Sequence, residues 1–310
     1  MHFHINPALQ KRFILAIILT SLILVAEVAG GIISGSLALL SDAAHVFMDI
    51  FALALSFFAM RLAARPPDDR HSYGWHRAEV MAALINGSSL VIMAIGIWVE
   101  AFKRFRNPVE IRSTEMLIIA VIGLVVNLVV ASILGGHTAL EHDQEGHQSG
   151  HETRQNLNLR SAFLHVLGDA ISSVGVIVAA ILIGFTGANW LDPLISVMIG
   201  VIIVISAWRV LRSSLHILLE GVPEGLSVSK INESLLSVAA VSSIHDLHIW
   251  NLSSDSVALS AHITLDQTEQ QNPEITLAKI KEVLDREFDI QHTTIQFEKT
   301  PCQNGQGGCN

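Results

Sequence analysis

Two places in the 310-residue chain repeat one spacing of metal-binding residue types: His45 with Asp49, and His165 with Asp169. Residues four apart on a helix share a face, one above the other, so each pair can offer an imidazole and a carboxylate to one point. Two such helices side by side supply four nitrogen and oxygen ligands, a set that suits tetrahedral Zn²⁺. A thiolate metal is disfavoured, because the two cysteines, Cys302 and Cys309, both lie in the last ten residues. The same count leaves no disulfide framework. The plainer reading of a His–Asp pair is an internal hydrogen bond that stiffens a bundle. That reading weakens for two identical pairs at membrane depth, where ionisable groups are expensive and tend to be functional.

The elements that must position these residues are apolar. The chain is 51% hydrophobic and 15% charged, against about 25% charged for a soluble domain. A bilayer core about 30 Å thick needs about 20 apolar residues per spanning helix. Six stretches qualify: 13–35, 38–62, 78–101, 115–136, 159–185 and 191–214. The His–Asp pairs fall in the second and fifth. Residues 1–12 lead straight into the first stretch with no small-residue cleavage site, so no cleavable signal is expected.

Six spans put both termini on one side. With the N-terminus inside, the inner segments hold Lys11, Arg12, Arg61, Arg65, Arg70, Arg77, Arg154, Arg160, Arg209 and Arg212. The outer segments hold Lys103, Arg104, Arg106 and Arg112, read as one loop. The excess of inner cations predicts cytoplasmic termini and a cell inner membrane location. The net charge of −9 argues against a nucleic-acid partner.

Other polar residues join the candidate list. Asp42 lies near the outer end of the second span, where an exit-path carboxylate and a helix cap are equal readings. Glu27 and Asn127 read as helix–helix hydrogen-bonding groups. Between the second and third spans, Asp68 and His71 could bind a metal, although a helix cap and a tight turn at Gly74 explain the segment equally well. The loop 135–160 carries His137, His142, His147 and His151 among acids, a composition that could collect metal weakly or serve as a polar linker.

From about residue 222 the pattern changes to that of a soluble domain. Helices are expected at 227–238 and 273–288, and strands at 243–251, 256–265 and 292–298, an αββαβ order. Alternation places Val257, Leu259, Ala261, Ile263 and Leu265 on one sheet face and His262 on the other. His245, His262 and Glu298 could therefore meet on the outer face as a further metal site. The expected organisation is an N-terminal segment 1–12, a six-helix membrane domain 13–214, a soluble domain 215–302 and a disordered tail 303–310.

These residues carry a strong resemblance to the cation diffusion facilitator family, especially to bacterial zinc and cobalt–zinc–cadmium exporters. It rests on residues 35–45 (Gly-Ser-Leu-Ala-Leu-Leu-Ser-Asp-Ala-Ala-His), 71–79 (His-Ser-Tyr-Gly-Trp-His-Arg-Ala-Glu) and 163–169 (Phe-Leu-His-Val-Leu-Gly-Asp). Residues 219–223 (Leu-Glu-Gly-Val-Pro) and 245–250 (His-Asp-Leu-His-Ile-Trp) add to it. The resemblance covers about 13–302. It implies a homodimer in a lipid bilayer, six spans per protomer and a cytoplasmic ferredoxin-like α+β domain. It also implies proton-coupled export by alternating access, with His45, Asp49, His165 and Asp169 as the transport site. Members with two His and two Asp there are mostly zinc-selective. A cytoplasmic, regulatory zinc site would map to His245, His262 and Glu298. Two departures stand out: Trp75 occupies a position where some members have a loop His, and Gln296 one where some have a metal-binding His.

The expected function is thus export of divalent metal cations, Zn²⁺ first, with Cd²⁺ and Co²⁺ beside it, by a carrier that is not an enzyme. Metal ligands must lose protons to bind, and histidine titrates near neutral pH, so protons are the expected coupling ion. An intramembrane zinc hydrolase is the alternative from another class. It is disfavoured by the lack of a His-Glu-x-x-His run and by four ligands that would close the site. A membrane-bound metal sensor is the third reading, and the chain carries no signalling module for it.

Overall fold

The computed structural model describes residues 7–135, 150–253, 256–266 and 273–299, with side chains outside the description at 7–14, 134–135 and 150–167. His137, His142, His147, the two cysteines and the tail 303–310 lie outside the described residues. The first six helices are α1 (Pro7–Ser34), α2 (Leu37–Ala63), α3 (Arg77–Arg106), α4 (Ser113–Gly135), α5 (Gly150–Thr186) and α6 (Leu191–Leu218). All six contain a segment long and apolar enough to cross a membrane. Their outward side chains are those that lipid would solvate: Ile32 is 69% exposed and Phe185 is 87% exposed.

Two helices outrun the expected spans. The last turns of α3 carry Lys103, Arg104 and Arg106, which were expected in a loop. Cations at a helix C-terminus offset its partial negative charge, which favours continuing the helix through them. Helix α5 begins at Gly150, well before the expected start at 159. Its first turns contain Glu152, Arg154 and Gln155 and no proline, so nothing breaks the helix there. His151 consequently sits on a helix rather than in a loop.

The chain divides into two compact units, residues 1–51 with 88–207, and 52–87 with 208–310. In the first, the core joins Ala38 and Leu39 of α2, Met116 and Ala120 of α4, Val176 and Ala180 of α5, and Ile199 and Ile203 of α6. Small residues allow close helix approach, as membrane packing without a hydrophobic drive requires. At Gly30 of α1, an added Cβ would stand 2.6 Å from Ile119 of α4.

The start of α2 is held by a residue from a distant helix. Asp192 of α6, fully buried, accepts hydrogen bonds from Ser36 Oγ at 2.6 Å, Leu37 N at 2.8 Å and Ala38 N at 3.1 Å. A helix N-terminus leaves such N–H groups unpaired and carries partial positive charge, so a carboxylate fits both needs. Arg104 of α3 donates to Gly35 O and places Nη1 3.6 Å from Asp192 Oδ2. Gly35, at φ +73°, makes the left-handed turn between α1 and α2 that a Cβ would strain.

The second unit contains the soluble domain, with α7 (Val228–Leu236), β1 (Val241–Asn251), β2 (Val257–Leu265), α8 (Pro273–Phe288) and β3 (His292–Glu298). The sheet order is β1-β2-β3, with β1 antiparallel and β3 parallel to β2. The domain is α+β in the expected αββαβ order. Ile231 and Leu235 of α7, and Ile280 and Leu284 of α8, pack with Leu259, Ala261 and Ile263 of the sheet in one core.

Asp192→Ala removes a buried acceptor shared by three donors and faced by Arg104. It should destabilise the full chain by about 3 to 5 kcal/mol, while Asp192→Asn, which keeps an acceptor, should lose less. Thermal and chemical denaturation in detergent checks this; equal losses would discount the charge.

Candidate metal sites

Helix α2 carries His45 and Asp49 on one face, and α5 brings Asp169 to them. His45 Nε2 lies 3.8 Å from Asp49 Oδ2 and 3.7 Å from Asp169 Oδ1. One ligand atom from each of the three lies within 4.8 Å of the others. These separations exceed hydrogen-bond length. They approach the edge of about 3.4 Å that four ligands 2.0–2.2 Å from one tetrahedral ion would define. The three side chains are 14–25% exposed, so an ion can reach them. His165 lies one helical turn before Asp169 on α5, with its side chain outside the described residues.

Asp42 is buried and accepts a hydrogen bond from Ser172 Oγ of α5 at 2.9 Å. It does not cap α2; Asp192 and Ser36 do. Asn127 of α4 reaches Ser173 Oγ of α5 at 3.5 Å, a helix–helix bond of the kind its position predicts.

In the soluble domain, sheet register assembles the second cluster. His262 of β2 stands opposite His245 of β1 and beside Gln296 of β3. Glu298 bridges the two histidines: Oε2 is 3.0 Å from His245 Nε2, and Oε1 is 3.0 Å from His262 Nδ1. Gln296 Nε2 donates to the same Oε1 at 2.8 Å. His245 Nε2 and Glu298 form a hydrogen bond, whereas His262 Nδ1 is buried without hydrogen-bond geometry. That orphaned nitrogen fits a metal, which would take its in-plane lone pair.

Sequence alternation missed Asp246 and His248. A register irregularity between His245 and His248, with Asp246 at φ +53°, departs from strict alternation. Asp246 Oδ1 lies 2.8 Å from His248 Nε2, and its Oδ2 lies 3.7 Å from His262 Nε2. The only available signal was an Asp in a strand, since Asp tolerates the left-handed conformation better than most residues.

Asp68 and His71 sit in a tight turn. Asp68 Oδ1 accepts from the N–H groups of Arg70 at 2.9 Å and His71 at 2.7 Å, and the His71 ring Nδ1 is 3.1 Å away. The Arg70 and His71 N–H groups hold the Asp68 carboxyl below the usual carboxylate range. The charged acceptor therefore persists through neutral pH and is lost only as pH falls through that lowered value. The His71 ring packs on Trp75 at 3.8 Å between centroids. Among the described residues, no third His, Cys or carboxylate joins this pair as a ligand. A cavity of 1190 Å³ lies in the second unit, lined by Phe58, Met81, Trp75 and Trp250 among others. His245, His262 and Glu298 are not part of its wall, and a bare ion needs convergent ligands rather than a roomy cavity.

Six spanning-length helices, two of them sharing a cluster of metal-ligand types, together with a soluble α+β domain, define a multi-pass membrane protein. The family model described as the cation efflux transmembrane domain matches residues 13–219, and that of the cation efflux protein cytoplasmic domain matches 223–300. The chain belongs to this family, the cation diffusion facilitators, and is a transporter rather than an enzyme.

It is 40% identical over 304 residues to the metal cation efflux system protein CzcD of Cupriavidus metallidurans, covering 97% of this chain and 91% of that one. It is 40% identical over 298 residues to the cadmium, cobalt and zinc/H⁺–K⁺ antiporter of Bacillus subtilis, covering 96% and 91%. Zinc transporter ZitB of Pectobacterium atrosepticum is 36% identical over 304 residues, covering 98% and 90%. A solved structure, the metal-bound C-terminal domain of CzcD from C. metallidurans, is 39% identical, covers 24% of this chain and 99% of that one, and gives a TM-score of 0.22.

Asp68→Asn keeps an acceptor for the two N–H groups and removes the charge. If the segment serves as a turn, metal flux should stay within about twofold, the scale of a surface substitution. A larger fall with the fold intact would assign Asp68 to metal handling.

Proposed function

We propose that the protein exports divalent cations, Zn²⁺ first, from the cytoplasm in exchange for protons by alternating access. The observation that carries this reading is the convergence of His45, Asp49 and Asp169 from two spanning helices. His165 supplies the fourth ligand from the face of α5 that carries Asp169. The printed names of the relatives support a metal cargo of zinc, cadmium or cobalt and an exchange for H⁺.

Entry of Zn²⁺ from the cytoplasm displaces protons from His45 and His165, since the ligands bind deprotonated. Asp49 and Asp169 balance the charge of the ion. When the bundle opens outward, protons return to the imidazoles and the ion leaves. Both termini lie in the cytoplasm of a bacterial cell, under the plasma membrane. The outer cations that weaken this orientation are fewer in effect than in number: Arg104 is 14% exposed and turned toward Asp192 and Gly35. Membrane residues 13–214 carry the cargo, and residues 215–302 bind regulatory zinc at His245, His262 and Glu298 and hold two protomers together as a homodimer. Asp68 and His71 are the remaining candidate pair for metal at the inner loop.

In proteoliposomes with an imposed pH gradient, the wild type should take up zinc. His45→Ala and Asp49→Ala should fall to the level of empty vesicles while remaining folded. Wild-type uptake in either variant would remove the cluster from the transport path.

A further inference from the structure

The membrane unit holds buried acids beyond the ligand set at His45. Glu27 of α1 is 1% exposed and Asp42 of α2 is 3% exposed. Glu27 lies within electrostatic reach of the carboxylates of both Asp42 and Asp169. Its Oε2 is enclosed by protein with no hydrogen-bond partner among the described residues. Its Oε1 stands 2.9 Å from where a Cβ on Gly123 would be, so the missing side chain on α4 makes room for the carboxylate. Asp42 receives the hydroxyl of Ser172.

These acids cannot find a salt bridge nearby in sequence. The spanning segments 15–34, 113–133 and 168–186 contain no Lys or Arg, and α2 has none before Arg61. Buried charges are normally paired or coordinate metals. Three carboxylates that face one another, one with an orphaned oxygen, therefore present a position for a cation.

We infer that Glu27 and Asp42, sharing Asp169 with the His45 cluster, form an all-oxygen staging position for the transported divalent cation. Asp42 precedes His45 by three residues, so the staging position lies about 4.5 Å along α2 toward its N-terminus. Asp169 reaches both sets and passes the ion between them. Imidazole suits zinc better than carboxylate alone, so the ion moves from a tight mixed set to a looser oxygen set before release. The inference rests on the exporter reading and deepens it.

The test uses the full chain with His245→Ala and His262→Ala, which removes the soluble-domain cluster, and Cd²⁺ as probe. This parent should bind Cd²⁺ with a mixed nitrogen and oxygen signature in cadmium NMR. Adding His45→Ala and His165→Ala should leave a weaker, all-oxygen signal. Adding Glu27→Gln, nearly isosteric, should weaken that remaining affinity by at least about tenfold, and Asp42→Asn should do the same. In the otherwise unaltered protein, Glu27→Gln should keep the mixed signal and slow zinc flux. Residual binding that ignores both Glu27→Gln and Asp42→Asn would overturn the inference. So would the absence of any Cd²⁺ once the imidazoles are gone. A change in proton release without a change in Cd²⁺ affinity would assign the acids to protons and overturn it too. If the parent binds no Cd²⁺ in its spans, the exporter reading falls, and this inference with it.

Discussion

An ionisable side chain at membrane depth has lost its water and must be compensated inside the protein. In this chain the acids meet that constraint to different degrees. Asp192 is met in full, by a hydroxyl, two backbone N–H groups and a neighbouring guanidinium. Its reward is positional: it fixes the first turn of α2, and from there the rigid rise of a helix sets the heights of Asp42, His45 and Asp49. The ligand set is thus registered by a residue far from it in sequence. The carboxylates beside His45 are spaced too widely for hydrogen bonds and close to the spacing of ligands around an ion. Their compensation is suited to arrive with the cargo.

The two clusters show contrasting ways of holding metal ligands. On the helices, i and i+4 geometry stacks imidazole and carboxylate on one α2 face, and a second helix closes the set from across a gap. On the sheet, neighbouring strands put His245, His262 and Glu298 shoulder to shoulder, where they contract to 3.0 Å contacts. A metal entering the sheet cluster must break a hydrogen bond that already exists, whereas one entering the helical cluster meets separations already near those it needs. The more open set fits an ion in passage, and the closed set fits one that binds only above a threshold.

Most of the fold was legible in the sequence because two strong periodicities dominate it. Apolar runs of spanning length placed all six membrane helices, and alternating strands placed the soluble domain with its order intact. The errors fall where those signals end. The polar start of α5 and the cationic end of α3 were read as loops, because hydropathy locates the bilayer rather than the end of a helix. Asp246 escaped notice because its backbone leaves the alternation on which strand reading depends.

What the sequence determined by itself was the chemistry: which residue types repeat at ligand spacing, which lie in lipid, and which strand faces carry histidine. Local spacing along one helix or strand suffices for that. What only the tertiary structure decided was which of these groups meet. Asp169 reaches His45 across two helices, Asp192 caps a helix 155 positions away at Leu37, and Glu27 enters a hollow left by Gly123. No short-range pattern encodes such contacts, because they depend on how helices approach one another, and that is set by the packing of all their side chains together.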